Sequence, residues 1–431
     1  MKKAGFYTLG CKVNQYETEA MAELFKERGY EIRDFNDIND VYVINTCSVT
    51  NMGDRKSRQI IRRAKKTNPD AIVAVTGCYA QTAPEEVLSI EGVNIVIGTQ
   101  DRKRIVKLVE DLKAESCVNH VTDIMKVHEF EELNIKEYTD RTRAFIKIQE
   151  GCSQFCSYCI IPYARGPVRS RPYDEVLTEV KRLAANGFKE IILVGIHVAS
   201  YGRDLDNMSL ERLIMAVDKI EGVERIRLSS IEPMTLDKSF IDSVRASKKL
   251  CHHFHISLQS GCDETLKRMN RKYTTAEFKA IVDGLREAFD DVAITTDIMV
   301  GFPGETDEEF RKTVEFVNEV SFADAHVFQY YRRRGTPAAK RPDQISPQIK
   351  EERSKVIIEL TRKNRDAFLG RFLGKELRVL FEQRASDGTF EGKTDNYITI
   401  HAPTDEELKD KFRTVLLERI ENGIVIGKIT D

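Results

Sequence analysis

A chain of 431 residues exceeds what one hydrophobic core usually serves, so two or three domains are expected. With 41% hydrophobic and 32% charged residues, the sequence is neither disordered nor fibrous in character. The formal net charge of -2 excludes a globally basic nucleic-acid binder, and no apolar run nears the roughly 20 residues of a membrane span.

Residues 1–115 alternate short apolar runs with charged helical stretches. Strands are predicted at Phe6–Leu9, Val41–Ile44, Ile72–Val75 and Ile95–Ile97, and helices at Glu17–Arg28, Asp54–Lys66 and Asp101–Lys113. That alternation reads as a parallel sheet covered by helices. A polar stretch over 116–140 lacks periodicity and is expected to be a linker.

A second α/β series fills 141–370, with strands predicted at Phe145–Gln149, Ile191–Val194, Arg225–Leu228, Phe254–Leu258, Ala293–Met299 and Ala325–Gln329. Six βα units suit an incomplete βα barrel. Over 371–431 the pattern turns to short strands, at Leu377–Phe381, Tyr397–His401, Thr414–Glu418 and Gly423–Ile426, which implies a small β-barrel. The expected fold class is therefore α/β with a C-terminal all-β unit.

Nine cysteines behind an opening stretch too short for a secretory leader imply a reducing, cytoplasmic setting. Cys152, Cys156 and Cys159, spaced C-x₃-C-x₂-C, supply three thiolates from one loop with no fourth cysteine nearby. A structural zinc site or a cluster devoted to electron transfer normally takes four ligands, so three on a four-iron cluster leave one iron open for chemistry. Cys11, Cys47 and Cys78 are far apart in sequence, yet each follows a predicted strand. In a parallel sheet the carboxyl ends of the strands share one edge, so these three thiols are expected to meet there around a second cluster. Gly10 and Gly77 would allow close backbone approach, and Asn14 and Asn45 could donate hydrogen bonds to the cluster. Cys117, Cys251 and Cys262 have no such placement and read as structural.

The motifs Leu9-Gly10-Cys11-Lys12-Val13-Asn14, Asn45-Thr46-Cys47-Ser48 and Thr76-Gly77-Cys78-Tyr79-Ala80-Gln81 resemble the N-terminal domain of the methylthiotransferases. The run from Gly151 to Gly166 is similar to that family's radical S-adenosylmethionine (SAM) loop, and the C-terminal segment resembles a TRAM domain, an RNA-binding module. Within the family, the opening motif and the run Asp54–Ala64 are most similar to the branch acting on threonylcarbamoyladenosine beside the tRNA anticodon.

The resemblance implies an enzyme that adds a methylthio group to adenine C2 by a radical route, with SAM and two [4Fe-4S] clusters as cofactors. One cluster would sit on Cys152, Cys156 and Cys159, and the other, which delivers sulfur, on Cys11, Cys47 and Cys78. It further implies a tRNA substrate and an electron donor such as flavodoxin or ferredoxin, with no membrane partner. Isopentenyladenosine or a ribosomal-protein aspartate are the alternative substrates. An iron–sulfur electron carrier or scaffold is the alternative of another class, though it would have little use for six βα units with glycine-rich strand ends.

Strand ends of the barrel offer a SAM cradle. Gly195 and Gly301 would permit close approach, Ser229, Glu232 or Gln259 could hold polar groups, and Phe155, Tyr158 or Phe302 could pack near the adenine. For RNA, Arg55, Arg58, Arg62 and Lys66 share a helical face by their spacing, and Arg332, Arg333 and Arg334 form a second basic run. The segment 371–431 is slightly acidic, so an RNA role there rests on resemblance, with Phe381, Phe390, Tyr397 and His401 as candidate stacking residues.

Overall fold

A computed structural model describes every residue except 49–50, 113–115, 134 and 136–141; for 51–52 only the backbone is described. The first sheet has six parallel strands: β1 (Lys3–Thr8), β2 (Glu31–Arg33), β3 (Val41–Thr46), β4 (Ile72–Gly77), β5 (Ile95–Ile97) and β6 (Val118–His120), in the order β2-β1-β3-β4-β5-β6. All six residues of β3 are buried, because helices cover both faces and a doubly covered strand reads as one apolar run. The register pairs Thr8 with Asn45, Asn45 with Thr76 and Thr46 with Gly77, so β1, β3 and β4 end level on one edge.

Strands β7 (Arg143–Glu150), β9 (Glu190–Gly195), β10 (Arg225–Leu228), β11 (His253–His255), β12 (Ala293–Val300) and β13 (Asp324–Gln329) form the parallel half-barrel, with the two-residue β8 (Arg169–Ser170) antiparallel on β7. Isolated bridges Ile226↔Leu250 and Ile231↔Ile256 join its two halves. One continuous apolar core runs between these strands and their outer helices. Two of those helices, Thr275–Ala288 and Asp307–Val320, start with full capping boxes, Thr274 with Glu277 and Thr306 with Glu309.

Strands β14 (Glu376–Arg384), β15 (Phe390–Lys393), β16 (Thr399–Ala402), β17 (Phe412–Glu421) and β18 (Ile424–Ile429) close into a barrel in the order β14-β15-β16-β18-β17. The expected strand from Tyr397 begins instead at Thr399, because Tyr397 itself sits at φ 69. The helix expected at Asp101–Lys113 is a 3-10 turn, Arg102–Arg104, followed by Ile105–Glu110; Asp101 enters it left-handed at φ 63, and Lys113 lies outside the described residues. The stretch read as a linker adds β6 to the first sheet and buries Glu131, Leu133 and Ile135. A 24-residue helix, Pro347–Gly370, leads from the half-barrel into the closed barrel.

Candidate active site

The level ends of β1, β3 and β4 bring Cys11, Cys47 and Cys78 to one edge. Gly10 (φ 102) makes this possible, since a Cβ there would lie 2.9 Å from Cys47 Cβ and 3.0 Å from its Sγ. Gly77 (φ 96) is equally constrained, with Thr46 O 2.4 Å from where its Cβ would be. Asn14 and Asn45 do not act as expected. The Asn14 amide donates to Leu9 O (2.7 Å) and Thr46 O (3.1 Å), and the Asn45 amide to Asn14 O (3.0 Å), so both tie the loops together. Asn14 Oδ1 instead accepts from the Cys11 thiol at 3.7 Å.

A buried guanidinium joins this edge to the second thiol loop. Arg165, fully buried six residues after Cys159, donates from Nε to Cys78 Sγ at 3.3 Å. It also donates to Glu17 (2.6 and 3.1 Å), Glu150 (2.8 Å) and Asn14 Oδ1 (2.5 Å). Arg102 and Lys147 complete the network on Glu17, at 2.5 and 2.8 Å. Burial pushes the Cys78 thiol up to about 12, with Arg165 pulling it down.

The Cys152 loop is pinned by the segment after Arg268. Ser157 N donates to Met269 O (3.0 Å), Ser157 Oγ to Arg268 O (2.8 Å) and Asn270 Nδ2 to Phe155 O (2.9 Å). Gly151 (φ 76) allows the loop to close, because a Cβ there would meet Pro167 O at 1.8 Å. Arg271 donates to Cys156 Sγ (3.3 Å) and to Glu232 (2.9 Å). Burial raises Cys152 to about 11 and Cys159 to about 12. Thiols held this high keep their protons until a metal displaces them.

Two sets of three free thiols, one from a single loop and one from a shared sheet edge, are the donor chemistry that iron–sulfur clusters use. No three His, Cys, Asp or Glu side chains among the described residues converge on a single-ion site. The SAM candidates divide. Ser229 Oγ and Gln259 Oε1 are buried polar atoms with no partner among the described residues, which suits a polar ligand. Glu232 is held by Arg271, Gly195 lines the open cleft, and Phe155 is exposed. Phe302 is a correction: it is fully buried against Tyr158 and Tyr330, and faces no open space. Gly301 is approached closely by the Lys350 stem, whose Cγ would lie 2.3 Å from a Cβ there. Tyr158 is only partly buried and packs on the Phe302 cluster.

A cleft of about 980 Å³ joins the two α/β units and the closed barrel. Cys11, Lys12 and Cys47 line it from the first sheet, Ile161, Gly195, Ser229 and Asp297 from the half-barrel, and Asn396 and Tyr397 from the closed barrel. Ile161 lies two residues past Cys159.

Of the RNA candidates, Arg55, Arg62 and Lys66 are exposed on the helix Asn51–Thr67. Arg58 is engaged with Tyr79 OH (3.1 Å) and Glu86 (3.3 Å). Arg332 and Arg334 are exposed, but Arg333 is a correction: it is buried and donates to Asp54 and Ser48, clamping the half-barrel to the first sheet. Phe381 and Phe390 belong to the buried barrel interior, whereas His401 is buried on the opposite face of its strand, 2.9 Å from Thr389 Oγ1. The Tyr397 ring stacks on His253 at 4.6 Å and lies under the Arg227 guanidinium at 4.7 Å, so protein occupies it. Sequence reasoning missed Arg165 and Glu17, whose only signal was a charge beside a thiol motif, and Arg271, which lies beside neither motif.

A parallel half-barrel carrying three thiols in the loop after its first strand defines a radical SAM enzyme. The Radical SAM superfamily model matches residues 146–317, and the model of Uncharacterized protein family UPF0004 matches residues 3–98. The chain is 47% identical over 406 residues to the threonylcarbamoyladenosine tRNA methylthiotransferase MtaB of Bacillus subtilis (strain 168), covering 93% of this chain and 90% of that one. It is 35% identical over 433 residues to the tRNA-2-methylthio-N(6)-dimethylallyladenosine synthase of Acetivibrio thermocellus, covering 98% and 90%. Its fold is similar to the radical SAM methyltransferase TsrM of Kitasatospora setae, with a TM-score of 0.61 and 15% identity over 79% of this chain and 75% of that one. The chain belongs to the radical SAM methylthiotransferase family.

Proposed function

We propose that this enzyme adds a methylthio group to C2 of threonylcarbamoyladenosine beside the tRNA anticodon, giving 2-methylthio-threonylcarbamoyladenosine. The observation that carries this reading is one shared cleft, lined by Cys11 and Cys47 on one side and by the half-barrel strand ends and Ile161 on the other. A nucleoside seated there meets Cys11 and Cys47 directly, and Ile161 ties the cleft to the loop that carries Cys159. The relative at 47% identity bears a name for this substrate.

Cys152, Cys156 and Cys159 would hold the radical SAM cluster, and Cys11, Cys47 and Cys78 a second [4Fe-4S] cluster. Bound SAM and these clusters supply the one-electron and sulfur chemistry that an unactivated aromatic carbon demands. The chain's own residues do the positioning. Arg271 holds Cys156 and Glu232 together, and Arg165 does the same for Cys78 and the Glu17–Glu150 pair. Ser229 and Gln259 offer unspent polar atoms to SAM, with Gly195, Glu232, Phe155 and Tyr158 around them. Arg55, Arg62, Lys66, Arg332 and Arg334 attract the phosphate backbone. The setting is cytoplasmic, with reducing equivalents from flavodoxin or ferredoxin; among the described residues no helix is long and apolar enough to cross a membrane.

Nucleoside mass spectrometry of tRNA from a deletion strain tests this: the methylthio mark on threonylcarbamoyladenosine should vanish, and an unchanged profile rejects the reading. Anaerobic reconstitution should give about eight irons per chain, and about four in Cys78→Ala.

A further inference from the structure

The first sheet carries a cation the reaction has not yet used. Lys12 follows Cys11 and lines the cleft, half-buried. Among the described residues its ammonium has neither ion pair nor hydrogen bond, and it faces the Tyr397 phenol and Glu190 as well as the cations Arg143 and Arg227. Its neighbours Arg143 and Arg227 have consumed the local anions. Arg143 pairs with Glu382 at 3.0 Å, and Arg227 with Glu190 at 2.7 Å, which also faces Arg143 and Arg225 at 3.9 and 3.7 Å. A half-buried ammonium beside spoken-for carboxylates is costly unless a ligand brings an anion.

We infer that Lys12 reads the carboxylate of the threonylcarbamoyl group, and so selects this nucleoside over adenosines whose N6 substituent is uncharged. The inference rests on the substrate reading above. In adenine, C2 and C6 flank N1, so a base presenting C2 to the Cys11 edge presents its N6 substituent close by. The carboxylate carbon lies only four bonds beyond N6, each about 1.3–1.5 Å. The residue next to Cys11, with a four-carbon arm, is placed to meet it. An isopentenyl group has no atom for Lys12 to hold and would leave the ammonium unpaired, which disfavours it.

The test uses the full chain reconstituted with iron and sulfide, and two anticodon stem-loops: one with threonylcarbamoyladenosine, the other with its neutral carboxamide. Fluorescence anisotropy gives Kd for wild type, Lys12→Met and Lys12→Arg. Wild type should prefer the acid by about 10- to 100-fold, the range of a charged hydrogen bond. Lys12→Met should bind both loops at the carboxamide's level, and Lys12→Arg should keep most of the preference. Equal binding of acid and carboxamide by wild type overturns the inference without any variant. So does a Lys12→Met protein that keeps the preference. If Lys12 only grips an RNA phosphate or balances thiolate charge, Lys12→Met weakens both loops alike, which also overturns it. Methylthiolation of the acid loop by wild type is scored in parallel: its absence sinks the substrate reading itself, whereas its presence with no acid preference sinks only Lys12.

Discussion

Arg165 shows how much one side chain carries here. Its guanidinium spends its donors on a thiol, two carboxylates and an amide, all buried. Replacing it by Met leaves Glu17 and Glu150 charged with fewer partners, so urea unfolding should show a loss of about 3–5 kcal/mol, the cost of breaking a buried pair. Lys at this position should recover only part, having no planar fork. The same network sets an acid limit. Burial alone would raise Glu17, but Arg102, Arg165 and Lys147 outweigh it and hold the carboxyl well below its ordinary 4.5. A depressed folded value means that its stabilisation is complete above about pH 4.5 and fades as pH falls toward the folded value. Urea midpoints should therefore drop more steeply below that pH in wild type than in Glu17→Gln. The cysteines were legible in the sequence because each thiol sits at a strand end or in one short loop. Glu17 and Arg165 were not, since they are 148 positions apart and no local pattern marks such a pair.

Strands buried on both faces, such as β3, were the most legible, because composition and burial agree there. The short edge strands β2 and β6 escaped notice because, unlike the equally short but wholly apolar β5, they mix charged or polar residues into three positions. So did the helix Pro347–Gly370, whose charged surface hides an inward line of Arg353, Ile357, Thr361 and Asn364. Capping leaves a local mark in the chain, since Thr274 and Glu277 sit three apart just before an apolar stretch. Thr274→Ala should lower stability by about 1 kcal/mol in a thermal melt, while Glu277→Gln, which can keep the reciprocal bond, should cost less.

Three units share one cleft because arginines fasten them. Arg333 clamps the half-barrel to the first sheet. Arg225 donates to Lys393 O (2.9 Å) and Arg378 O (2.6 Å), and Arg227 to Asp395 O (2.9 Å) and Thr394 O (3.1 Å), which moors the closed barrel. Arg225→Ala with Arg227→Ala should free that barrel. Limited proteolysis should then cut faster near residues 370–376, and tRNA affinity should fall, while reductive SAM cleavage without RNA should persist. The class of every unit was readable from strand spacing, but their mutual placement was not, because it depends on arginines inside strands whose partners lie in another unit.

All four of those mooring bonds end on peptide carbonyls, and none on a side chain of the closed barrel. Amino-acid replacement at Arg378, Lys393, Thr394 or Asp395 leaves the acceptors in place. Natural drift at Lys393, Thr394 and Asp395 therefore leaves these four bonds intact, whereas a barrel grafted from a distant homologue must also bring Glu382 to Arg143 and Tyr397 to His253. Lineages are free to vary the outer wall of this appendage, but its inner edge, Asn396 to Thr399, is a wall of the reaction chamber.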